Sequence, residues 1–185
     1  MPLGASPRPA PGRDELVARV RSQAEDLFAS RRLLCAGAVL QAVNQCFGGG
    51  LDPAVAARLV AGLPEGMGGA GCICGALSGA GLALGLLLGD GAYRVPPWAG
   101  RLPRRFQRRF GSTCCRVLRR QTREDPRADF QRCTRFTGAA AAMAAEIILD
   151  ERPGLLLRAG GETPRCRAGR LPALWRRLAA AVRGG

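Results

Sequence analysis

Cysteine is the side chain around which this sequence can build chemistry. The 185 residues include 8 cysteines and no histidine, and all 28 basic residues are arginine. Without histidine there is no Ser/His/Asp set and no imidazole metal ligand, and without lysine there is no Walker loop. Asp and Glu total 14, and none forms an evident catalytic pair. Four of the cysteines, Cys35, Cys74, Cys115 and Cys133, are spread so that each falls near the end of a different predicted helix. If those ends converge, four thiolates are suited to hold an iron–sulfur cluster or zinc, or to act as two redox dithiol pairs. The alternative is that each is a small apolar residue in its own part of the core.

Their local settings differ. Cys74 follows a glycine-rich loop and starts a predicted helix, where free backbone N–H groups and the helix dipole favour a thiolate. It is read as the low-pKa thiolate of the set, with Cys35, Cys115 and Cys133 as partners. Cys72 and Cys74 form Cys-x-Cys, a weak chelating spacing in which Cys72 could assist or substitute. Cys114 and Cys115 point about 100° apart on a helix, so at most one faces the site of Cys74. Cys35 and Cys46 lie roughly 16 Å apart along one helix and cannot share a metal. Cys166 falls in the basic tail and reads as incidental.

The elements that position these residues are helical. Residues 1–12, rich in Pro, Gly and Ala, read as a disordered leader with no apolar signal segment. Leu16, Val17, Val20, Ala24, Leu27 and Phe28 recur at helical spacing behind Asp14 and Glu15, through Ser30. A second helix runs from about Arg32 to Cys46 and stops at Gly48-Gly49-Gly50. Asp52 caps a third, with Pro53 at its first position, through Ala61. The run from Gly62 to Gly71 predicts a loop with unusual backbone angles or a close approach. From Gly66 to Gly89 there is no charge. The part from Cys74 to Leu88 reads as a buried helix whose glycine rows, Gly71, Gly75, Gly79 and Gly81, Gly85, Gly89, admit close neighbours. After a loop over Asp90–Pro103, helices are expected from Pro103 into Phe110, from Cys114 to Gln121 and from Ala128 to Leu149, the last with an alanine-rich stretch at 138–145. A small amphipathic helix from Pro172 to Val182 closes the chain. No segment alternates with period two, so the fold class is all-α: a compact single-domain helical bundle around a glycine-rich central helix, with a leader at 1–12, the helical domain at 13–150 and an Arg/Gly/Pro-rich tail at 151–185.

The net charge of +14 would attract anions of any kind. Arg101, Arg105, Arg108 and Arg109 could form one helical face. Aromatic residues for base stacking are scarce beside the arginine runs, so nucleic acid is disfavoured as a partner. Lysine-free, Ala/Gly/Pro/Arg-rich composition also matches a GC-rich genome, which accounts for arginine without a function. An unexported chain keeps its thiols reduced, which suits a cytoplasmic protein. Membrane association through residues 66–89 is the minority alternative, because a 24-residue uncharged stretch is long enough to span a bilayer, but its glycines lower hydropathy and helix propensity.

The stretch from Leu33 to Leu149 resembles the C-GCAxxG-C-C family of redox-active proteins. The likeness is carried by Cys74-Gly75-Ala76-Leu77-Ser78-Gly79, by the Gly66-Met67-Gly68-Gly69 element before it, by Cys35, by Phe110-Gly111-Ser112 ahead of Cys115-Arg116-Val117-Leu118, and by Cys133 before the alanine-rich helix. Cys46, Cys72 and Cys114 are additions to that pattern. The resemblance implies a short helical protein of bacterial type, whose four cysteines serve as catalytic or metal-binding residues. Gly75 and Gly79 beside them are expected to let a helix, and any bound group, come close. The job would be electron transfer or thiol–disulfide exchange with an unidentified redox partner protein, with an iron–sulfur cluster or zinc, or with no cofactor, and with homo-oligomerisation open. The alternative function is a structural or metal-binding helical protein without turnover.

Overall fold

Alternating runs of small apolar residues and turn signals produce nine helical segments among the residues described by the computed structural model, 11–91 and 95–158: α1 Arg13–Ala29, α2 Cys35–Phe47, α3 Pro53–Leu59, α4 Pro64–Met67, α5 Gly75–Leu88, α6 Arg101–Phe110, α7 Cys115–Arg119, α8 Pro126–Glu151 and α9 Leu155–Arg158, of which α4 is a single turn with left-handed backbone at Glu65, Gly66 and Met67. The all-α class is as expected. The expected closing helix at 172–182 lies outside the described residues, as does Cys166.

Helix ends follow the cap chemistry in the sequence. Asp52 accepts hydrogen bonds from the Ala54 and Val55 amides at 2.8 and 3.1 Å, with Pro53 in the first turn. Asp125-Pro126 repeats the device, Asp125 accepting from Arg127 and Ala128 at 2.9 and 3.2 Å. That cap starts α8 two residues before the expected Ala128. α2 ends at Gly48 in the left-handed region, and the buried Asn44 side chain clamps the following loop by bonding Leu51 through both its carbonyl and its amide.

α2 is the helix the rest surround. From Ala36 to Phe47 only Gln45 is not buried, because Ala36, Gly37, Ala38 and Ala42 let α1, α5 and α8 all pack on it. α8 closes the bundle against α1, α2, α5 and α6, its alanine-rich half sealed in the core. The glycine-rich helix, read as buried, is buried along one side and exposed along the other. α5 packs on α2 and α8 through Ala76, Leu77, Ala80, Ala83, Leu84 and Leu87, but Gly81, Leu82, Gly85 and Leu86 form an exposed face. Only one of the two glycine rows is a contact row. A Cβ on Gly79 would fall 2.2 Å from the Ala36 carbonyl oxygen, whereas one on Gly81 or Gly85 would meet nothing within 4 Å. Among the described residues no helix is long and apolar enough to cross a membrane.

Two of the four arginines on the expected α6 face are occupied. Arg101 pairs with Asp150 and with Glu151, and Arg105 pairs with Glu146 at 3.0 Å, all on α8. Arg13 from α1 also pairs with Asp150. These contacts fasten the ends of three helices.

Candidate functional site

The site is built from three helix starts and from a stretch inside a fourth helix, so that three of the four cysteines lie at a helix end as expected and Cys133 does not. Cys35 is the first residue of α2, Cys74 caps α5, and Cys115 is the first residue of α7. Cys133 lies two turns into α8, on the face that also carries Pro126, Asp129, Phe130 and Phe136. All four cysteines line one cavity of about 430 Å³, together with those α8 residues.

Cys74 and Cys115 are brought together by a short pairing of otherwise distant segments. Ile73 and Cys114 form an isolated antiparallel bridge. Around it the Cys74 amide donates to the Thr113 carbonyl at 2.8 Å and the Cys115 amide to the Cys72 carbonyl at 2.6 Å. The glycine-rich loop threads through the same place. Gly66 has φ +76°, and a Cβ there would lie 2.7 Å from both the Cys115 Cβ and the Cys72 amide nitrogen. Glycine is required here on two counts, backbone angle and space. The pairing also resolves the doubled cysteines. Cys74 and Cys115 face the cavity, while Cys72 is exposed and Cys114 turns its Sγ to the Gly71 carbonyl at 3.2 Å. Neither Cys72 nor Cys114 lines the cavity. Cys46 lies away from it, its thiol donating to Gln23 Oε1 at 3.1 Å.

A charge on Cys35 would act to raise the thiol pKa of Cys74, Cys115 and Cys133. The Cys35 sulfur rests against Gly75, where a Cβ would come within 2.6 Å of Sγ. Gly75 is thus a space requirement for the sulfur as well as for the helix. The amides of Glu65, Ala36 and Cys35 itself favour its thiolate, as expected where a helix N-terminus meets a tight turn.

Burial nevertheless decides the electrostatics. Desolvation pushes the thiols of Cys35, Cys74, Cys115 and Cys133 up from the ordinary 9.0, those of Cys74 and Cys133 to about 12. This corrects the reading of Cys74 as a low-pKa thiolate. Its backbone hydrogen bonds from Leu77 and Ala76 do lower the value, but a sulfur with 6 % residue exposure loses more by leaving water than the helix start returns. For Cys115 the nearby Arg119 offsets part of the burial, and for Cys133 burial is reinforced by the charge of Asp129.

The sign of the linkage follows. A thiol whose folded pKa lies above its unfolded one contributes stability that is complete below the unfolded value and is lost as pH rises through the folded value. Unfolding free energy therefore falls from about pH 9 upward, with Cys74 and Cys133 still contributing to the loss near pH 12. Urea titrations at a series of alkaline pH values check this, and replacing Cys74 or Cys133 by alanine flattens the curve.

Charged residues that the sequence did not single out complete the walls. Arg119 makes a bidentate pair with Asp129, Nε to Oδ1 at 3.1 Å and Nη2 to Oδ2 at 2.5 Å, and Thr122 donates to Asp129 Oδ1 at 3.2 Å. Those hydrogen bonds hold the Arg119 guanidinium well above its ordinary value. Arg31, Glu65 and Arg123 also line the cavity, with Phe28 stacked on Phe130 at 5.1 Å. The spacing Pro126, Asp129, Phe130, Cys133, Phe136 is a readable helix face; nothing local marks Arg31, Glu65, Arg119 or Arg123.

A metal at the four cysteines is one expectation, with Cys72 as a further ligand; among the described residues no three His, Cys, Asp or Glu side chains are disposed to hold a metal ion.

Residues 33–147 match the model of a family described as "Putative redox-active protein (C_GCAxxG_C_C)". No curated protein and no solved structure matches the chain.

Proposed function

Since the chain belongs to the C_GCAxxG_C_C family of redox-active proteins, we propose that its cavity is a thiol–disulfide exchange site. One observation carries this reading: four cysteines from four separate helices line a single cavity of about 430 Å³, all of them free thiols. Scattered core cysteines would each be sealed by their own neighbours. Here the sulfurs share one space, and Cys35 and Cys133 are partly exposed.

Cys35 is the attacking thiol. It combines partial exposure with three favouring amides. Its thiolate attacks one sulfur of a disulfide, forming a mixed disulfide and releasing one thiolate. A second cavity cysteine then attacks the Cys35 sulfur and releases the other half. The protein loses two electrons as two thiols become one disulfide, the substrate disulfide gains them, and the two thiol protons leave with the products. Reaction is slow at neutral pH and accelerates with alkali, because burial keeps the thiols protonated.

The test is anaerobic purification followed by stepwise oxidation in glutathione redox buffers, with alkylation and peptide mass mapping at each potential. Loss of labelling at Cys35 together with one other cavity cysteine, restored by dithiothreitol, is the expected result. A brown protein containing iron and sulfide would replace exchange by cluster chemistry. Cavity cysteines that stay reduced and unlabelled until denaturation would leave a structural helical protein without turnover.

A further inference from the structure

The exchange reading leaves open what kind of disulfide enters. Two of the four sulfurs are recessed, Cys74 and Cys115 having residue exposures of 6 % and 7 %, while Cys35 and Cys133 are partly exposed. A cystine held rigidly on the surface of a folded partner does not reach the recessed pair. A small molecule does, since about 430 Å³ lies within the usual range of ligand cavities.

The charges around the cavity narrow the class. Arg119 is consumed by Asp129. Arg31 and Arg123 are exposed and have no carboxylate partner among the described residues. Arg31 instead lies over the Phe130 ring, its Cζ 5.3 Å from the centroid. Glu65 is the remaining charge on the wall. The backbone points to the same residues. Among the described residues the non-glycine residues with positive φ are Arg31, Glu65 and Met67. Two of those three are charged residues of this cavity, at positions where glycine or asparagine would sit without strain. Strain retained at charged side chains facing a cavity argues that the side chains are wanted there.

We propose that the cavity takes a low-molecular-weight disulfide of amino-acid or short-peptide type, its carboxylates held by Arg31 and Arg123, an ammonium by Glu65, and its S–S bond presented to Cys35. This rests on the exchange reading above. Cys35 thiolate attacks one substrate sulfur, the S–S bond breaks, and one substrate half leaves as a thiolate that takes up a proton. A second cavity thiol displaces the other half from Cys35, leaving one protein disulfide and two low-molecular-weight thiols. The substrate disulfide is the oxidant and the protein dithiol the reductant.

The experiment uses the full-length reduced protein and follows loss of Cys35 labelling in time. Three disulfides serve as probes: oxidised glutathione, which carries carboxylates and ammonium groups; cystamine, which is only cationic; and neutral 2-hydroxyethyl disulfide. Oxidised glutathione is expected to react roughly tenfold faster than cystamine at low ionic strength, and the gap to narrow in 1 M salt. Arg31→Gly and Arg123→Ser each shrink that preference several-fold. Arg31→Gly does so without lowering the melting temperature, since glycine relieves the left-handed backbone, which separates recognition from damage to the fold. Equal rates for all three probes, or an unchanged preference in both arginine variants, would overturn the substrate class while leaving exchange intact. No oxidation of Cys35 by any probe would instead remove the exchange reading and this one with it.

Discussion

Replacing Cys35 by serine abolishes disulfide exchange, whereas the same change at Cys72 leaves it intact. The contrast is the largest functional effect expected of any single substitution in the chain. A serine hydroxyl is not ionised at any pH where the protein folds, so no attacking anion remains and the mixed disulfide cannot form. Cys72 is more exposed than any of the four cavity thiols, yet it does not line the cavity, so accessibility alone cannot explain a loss confined to Cys35. The check is single-turnover oxidation at pH 8 and pH 9.5 for both variants, with circular dichroism to show that helix content survives. Cys74→Ser, Cys115→Ser and Cys133→Ser distinguish the resolving thiol: the variant that accumulates mixed disulfide on Cys35 has lost it. Full activity in Cys35→Ser would move the attack to another sulfur.

Gly79→Ala costs about 3 kcal/mol of stability, near the upper end for overpacking a core. An alanine Cβ at this position would lie 2.2 Å from the Ala36 carbonyl oxygen, 2.8 Å from its Cα and 2.9 Å from its carbonyl carbon. All three are backbone atoms of α2, so no side-chain rotation relieves them. The helices must separate, and the whole α2–α5 contact loosens. The gain of about 1 kcal/mol from replacing a mid-helix glycine by alanine does not offset this. Gly85→Ala is the control. It lies about 1.7 turns beyond Gly79 and so on a different, exposed face, with no atom within 4 Å of the new methyl, so the propensity gain remains and the protein is stabilised by several tenths of a kcal/mol or more. Urea midpoints read both changes. At about 3 kcal/mol the thermal midpoint of a domain this size falls by roughly 10 °C. Equal effects of the two substitutions would mean that α5 packs by a different face.

The helices were legible because their signals are local. Asp52-Pro53 starts α3 as read, and Asp125-Pro126, which carries the same cap, starts α8 two residues before the expected Ala128. Arg101 begins α6 ahead of Pro103, because proline is tolerated in a first turn and does not mark its first residue. The glycine-rich run from Gly62 to Gly71 was legible as irregular backbone, and it holds left-handed residues at Glu65, Gly66, Met67, Gly68, Gly69 and Gly71. What it approaches was not legible. Gly66 is required by Cys115, nearly fifty residues away in sequence.

The arginines show the same limit from the charge side. Arg101, Arg105, Arg108 and Arg109 share a spacing, but the sequence does not say that α8 brings Glu146, Asp150 and Glu151 to the first two. At Asp150 burial acts to raise the carboxyl pKa, and the hydrogen bonds from Arg13 and Arg101 outweigh it and hold the group below the usual carboxylate range. Its contribution to stability is therefore present at neutral pH and lost as acid carries the solution down through that lowered value.

Residue types, helix starts, capping motifs and the order of the four cysteines are properties of neighbouring residues, and the chain written out determines them. Whether Cys35, Cys74, Cys115 and Cys133 face one space, which of Cys114 and Cys115 turns inward, and whether a helix start or burial governs the Cys74 thiol depend on contacts between distant segments. Only the packed structure decided these. A helix N-terminus acts through its own first turn, whereas desolvation sums over every atom that displaces water, whatever its place in the sequence.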